Sequence, residues 1–199
     1  LKNYIKEFKS LVMVFLRLLR LFGYMLKYKP ERIIYRYSIY DISGLWISKL
    51  FQVPVVYEIN GSVEYEREIE NKFYFKNLVQ RTEKSIFKKA DLVLLVSNEL
   101  KRYFSEKNYN MNRVLIVPNG VDMDKFNREV KLPEPFEQIK EKWADKKIIG
   151  FSGSLKSWHG AERIIDILPN ILKEVPDARY FIIGDGDRRG MIEAKVKEH

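Results

Sequence analysis

An α/β fold built on parallel strands is what this sequence predicts, and three observations carry the prediction. Short apolar, β-rich runs alternate with helical stretches along the chain, the rhythm of crossover units with helices on both faces of a parallel sheet. Residues 127–146 break that rhythm with Pro133, Pro135 and many charges, so they read as a linker between two units, 1–126 and 147–199. After the linker comes strand, glycine-rich loop, helix, strand and a second glycine loop, an order that builds an anion-binding crevice at the carboxyl ends of two strands.

Residues 3–28 follow a helical pattern that Pro30 ends. Residues 32–37 (RIIYRY) are β-rich, 44–51 read as a helix, and 53–59 form a second strand with Pro54 tolerated at its start. A polar helical stretch covers about 66–89. The run 91–96 (DLVLLV) is nearly all apolar, as expected of a strand buried on both faces. Ser97 is placed to cap a helix over 98–104. Residues 113–117 form another strand, closed by Pro118-Asn119-Gly120. In the second unit a strand starts at Lys147. The helix over about 161–174 shows a broad apolar face and holds Pro169, which is expected to kink it.

The 199 residues include no cysteine, which excludes disulfides and cysteine-based metal sites and fits a reducing, cytoplasmic setting. Only His159 and His199 exist, so a multi-histidine metal centre is excluded. The net charge of +9 favours anionic partners. The apolar stretch 11–26 is interrupted by Arg17 and Arg20 and is shorter than the roughly 20 residues a membrane span needs. Two readings stay open for residues 1–29: a core-facing helix, or peripheral contact with the anionic inner face of a plasma membrane. Basic and aromatic residues do not interleave on a strand face, so no nucleic-acid partner is expected.

Chemistry-bearing residues gather at strand ends. In the loop Gly153–Gly160, glycines allow close backbone approach to a diphosphate, Lys156 adds charge, and His159 stands just before a helix start. An ordinary turn is the alternative, and the Gly-Lys-Ser/Thr ending of a P-loop is missing. Gly184, Gly186 and Gly190 give a weak dinucleotide-like spacing, or a plain strand-ending turn. Glu58 and Asn60 close a central strand and project on one side of it.

In order along the chain, residues 35–38, 55–61, 90–97, 117–122 with Phe126, 153–160 and 176–186 resemble the motifs of glycosyltransferase family 4. That resemblance implies the GT-B fold: two Rossmann-like, doubly wound parallel-sheet domains, both incomplete in this chain. It implies transfer from a nucleotide-diphosphate sugar to a lipid-linked or polysaccharide acceptor, with retention of configuration and no metal or other cofactor. Gly153, Ser154, Lys156, His159, Gly160, Gly184 and Gly186 would bind the donor. Ser154 stands where the family usually has an arginine and His159 where it usually has a lysine, so Lys156 would supply the missing charge. Asn60, with Glu58, would lie at the reacting centre, and Asn119 and Gly120 at the interdomain cleft. An upstream glycine loop and a downstream paired-glutamate motif have no counterpart here, so an internal fragment, inactive alone, is expected. A non-catalytic basic module that docks on membrane or nucleic acid and a nicotinamide-dependent oxidoreductase are the rival readings.

Overall fold

The computed structural model describes residues 2–69, 75–126, 129 and 131–198, with backbone alone for 2–6 and 67–69. Two compact units divide the chain, Leu1–Gly120 and Val121–His199.

The first unit contains α1 (Lys2–Tyr28), β1 (Ile33–Arg36), α2 (Ser43–Phe51), β2 (Val55–Ile59), α3 (Val63–Ile69), α4 (Lys76–Lys89), β3 (Leu92–Leu95), α5 (Asn98–Glu106) and β4 (Val114–Ile116). The polar stretch expected as one helix is therefore two. The Ser62 hydroxyl accepts the Tyr65 N–H at 3.2 Å and starts α3 three residues earlier than expected. Ser97 does cap α5, accepting from the Leu100 N–H at 3.1 Å.

The four strands pair in the order β1-β2-β3-β4, all parallel. With right-handed crossovers, this sequential order sends α2, α3–α4 and α5 to one face. Ile33, Val55, Tyr57, Ile59, Val93 and Leu95 are buried there. On the other face Ile34 is 73% exposed and Leu115 53% exposed. Leu92 and Leu94 are only half-buried for the same reason, so β3 alternates rather than being buried on both faces. The core continues through the rings of Phe87, Phe104 and Tyr109, which touch at centroid distances of 4.7–5.3 Å.

Glu64 and Glu83 are among the fully buried carboxylates of this unit. Glu83 on α4 accepts from Tyr37 Oη at 3.1 Å and Tyr109 Oη at 3.0 Å. Loss of water outweighs those donors and pushes its carboxyl up to about 7. Burial also disfavours the Glu64 carboxylate, but Lys107 Nζ and Gln80 Nε2, each at 2.6 Å, prevail and hold it below its ordinary value.

The second unit runs α6 (Glu134–Lys142), β5 (Lys147–Ser152), α7 (Ala161–Glu174), β6 (Ala178–Ile183) and α8 (Arg189–Glu198). β5 and β6 pair in parallel from Lys147↔Ala178 to Ser152↔Ile183. The segment expected as linker thus holds α6. Its prolines mark a helix start, because the first turn has no N–H partners to lose. α7 continues as one element with Pro169 inside.

Candidate functional site

The carboxyl ends of β5 and β6 carry two interlocked loops. The Gly153 N–H donates to the Ile183 carbonyl at 3.0 Å, the Leu155 N–H to Asp185 at 2.9 Å, and the Arg188 N–H to Leu155 at 3.0 Å. Leu155, buried beside Ala161, Ile165 and Ile192, anchors the first loop in the small core of this unit. A Cβ on Gly184 would lie 1.9 Å from the Gly153 carbonyl oxygen, and one on Gly186 would lie 2.7 Å from that of Leu155. These two glycines are needed for the loops to close on each other. A Cβ on Gly190 meets nothing within 4 Å, so the dinucleotide-like spacing has no common structural cause.

The β5–α7 loop then presents its polar groups. His159 Nδ1 lies 2.6 Å from the Ser154 carbonyl oxygen, which can only accept, so Nδ1 carries the proton. Ser154 Oγ is 3.3 Å from the same nitrogen. Nε2 therefore remains the atom of His159 that can meet a ligand. Lys156 Nζ bonds Asp187 at 2.7 Å, so its charge is shared with a carboxylate of the neighbouring loop. Gly160, at φ 67°, takes the left-handed conformation that glycine adopts without strain and turns the chain into α7. The first N–H groups of α7 and its positive dipole end follow directly.

Gly153, Ser154, Lys156, His159, Gly160, Gly184 and Gly186 are thus assembled by these loops. Glu58 is the fourth residue of β2, pointing away from the face that buries Tyr57 and Ile59, and Asn60 follows the strand. Asn60 Oδ1 is buried and has no hydrogen-bond partner. Asn119 and Gly120 are exposed and end the first unit along the chain. Among the described residues, no three His, Asp or Glu side chains converge as metal ligands would. No helix among them is long and apolar enough to cross a membrane. Nothing in the sequence singled out Asp187, whose pairing with Lys156 exists only through the loop contact. Asp41 was also missed: it is fully buried and bonded by Arg17 Nη1 at 3.3 Å.

The family model for Glycosyltransferase Family 4 matches residues 3–125. An uncharacterized glycosyltransferase of Methanocaldococcus jannaschii is 36% identical over 124 residues, 61% of this chain and 30% of that protein. A second uncharacterized glycosyltransferase of the same organism is 20% identical over 182 residues, 86% of this chain and 43% of that protein. Among solved structures, Anabaena HepE in complex with UDP is similar at a TM-score of 0.65 and 15% identity, covering 91% of this chain and 48% of that one. The chain spans less than half the length of each of these proteins.

Proposed function

The chain belongs to glycosyltransferase family 4, and from that membership we propose that it supplies part of an enzyme moving a sugar from a nucleotide-diphosphate sugar to a lipid-linked or polysaccharide acceptor. Its fold is α/β with parallel sheets, of the GT-B class. The observation that carries the donor half of the reading is the β5–α7 loop: backbone N–H groups, a helix start, His159 Nε2 and Lys156 at the carboxyl end of a parallel pair. The HepE structure, similar in fold, holds UDP, and this supports a uridine nucleotide as the donor's carrier.

In this reading the leaving diphosphate is stabilised by the α7 dipole, Lys156 and His159 rather than by a metal. Asp187 competes for Lys156 until the diphosphate, with its larger charge, draws the ammonium across. With Nδ1 turned to the Ser154 carbonyl, the His159 imidazolium donates from Nε2 to a phosphate oxygen. Asn60 cannot act as a base near neutral pH; its amide can orient an acceptor hydroxyl by hydrogen bonding. Retention then has the leaving phosphate take the acceptor proton on the same face of the sugar. In the same reading Glu58 assists Asn60 on the acceptor side, and Asn119–Gly120 close the first unit along the chain. In this reading the enzyme works at the inner membrane face, with residues 1–29 as the contact.

The test is turnover of the intact protein with UDP- and GDP-sugars and extracted acceptors, reading product anomer and rate. Retained configuration and a loss of ~10-fold or more in N60A, with donor binding unchanged, are expected. An inverted product would sink the mechanism.

A further inference from the structure

The first unit has a cavity of about 490 Å³ between α1 and the carboxyl end of β1. Its lining includes three guanidinium groups, Arg17 and Arg20 from α1 and Arg36 from the last position of β1, against one carboxylate, Asp41. Asp41 is fully buried and satisfied from three sides. It accepts from Tyr35 Oη at 2.8 Å, from the Ser43 N–H at 3.0 Å and from Arg17 Nη1 at 3.3 Å. Its charge fixes Arg17 and Tyr35 at the cavity wall.

Among the described residues, Arg20 and Arg36 pair with no carboxylate. Glu58 is the cross-strand neighbour of Arg36, yet no ion pair joins them. A second cavity of about 160 Å³ shares Arg17 and Ser38 with the first and adds Lys9 to the basic wall. Three like charges around one concavity repel each other unless an anion lies between them. After Asp41 is counted, about two positive charges remain. That matches a phosphate monoester, which carries about −1.5 to −2 near pH 7, better than a singly charged carboxylate. Guanidinium forks also suit phosphate oxygens in a way that a general basic surface does not.

We propose that this cavity binds a phosphate group, and that the acceptor substrate carries it. The acceptor part rests on the donor-transfer reading above; the phosphate site does not. The phosphate can belong to a water-soluble sugar phosphate or to a lipid headgroup, and the chemistry at the arginines is the same.

Calorimetric titration tests this with UDP held at saturation, so that the β5–α7 loop is occupied. The probes are glycerol 3-phosphate, glycerol as the neutral control, and phosphatidylcholine vesicles with or without phosphatidic acid. Wild type is expected to bind glycerol 3-phosphate or the phosphatidic acid vesicles, and not glycerol or neutral vesicles. R20Q and R36Q should each weaken that binding ~10-fold, while K88Q, a charge loss elsewhere on the same unit, leaves it within about 2-fold. Arg20 and Arg36 are exposed, so an unchanged melting midpoint separates these effects from misfolding. Binding of the soluble probe identifies a water-borne phosphate; binding of vesicles alone identifies a lipid-borne one. Absence of binding to both phosphate probes, or equal binding by wild type, R20Q and R36Q, overturns the proposal. UDP affinity is measured in the same series. UDP binding without phosphate binding removes the cavity proposal only, and arginine-dependent phosphate binding without UDP binding removes the donor reading only.

Discussion

Glu83 holds its proton to about neutral because its carboxyl has lost water between Tyr37 and Tyr109. Its folded value, about 7, lies above the ordinary 4.5, so between those values the folded state binds more protons than the unfolded chain. The stability it contributes is complete below 4.5 and is lost as pH rises through about 7, on the order of 3 kcal/mol in total. Denaturant titration should show wild type losing up to about that much more stability than E83Q between pH 4.5 and 8. Parallel curves would contradict the burial account. Gly184 gives a second test at this scale. A Cβ 1.9 Å from the Gly153 carbonyl oxygen forces the loops apart, so G184A should cost the second unit roughly 2 kcal/mol or more, read from its unfolding midpoint. At Gly190, where the space is open, Ala should change it little. The sequence showed the three glycines alike, because a Cβ clash depends on where a distant carbonyl arrives.

The element that matters most is β5, its loop and α7. Its order was legible because an apolar strand, a glycine loop and a periodic helix each leave a local pattern. The internal ties were not legible. His159 to the Ser154 carbonyl is a matter of ring orientation, and Lys156 to Asp187 joins residues of two different loops. The His159 tie predicts that H159A weakens nucleotide binding while H159K, whose ammonium can reach the same anion, keeps it, as calorimetry will detect. Elsewhere Pro133 and Pro135 read as breakers, yet they open α6, since a proline's missing N–H costs nothing in a first turn. The β3 run read as buried on both faces because apolar content does not show which face the crossovers cover; strand order does.

At the scale of the whole chain, the alternation of strands and helices told the fold class, and the motif order told the family, whose model covers residues 3–125. The basic cavity was invisible by comparison. Arg17 and Arg20 looked like interruptions of an apolar helix, and only the packing of α1 against α2 beside β1 brings them to Arg36. In the proposed function the second unit grips a uridine diphosphate through the β5–α7 loop. Trp158 adjoins His159 in that loop, at 5.9 Å between rings, and offers a built-in reporter. Titrating UDP into the intact protein while following tryptophan fluorescence is the most direct measurement. A saturable change is expected, which K156M and H159A each shift to ~10-fold or more higher UDP concentration. A protein that shows no saturable change and no calorimetric binding, or whose two variants bind UDP as well as wild type, would contradict it.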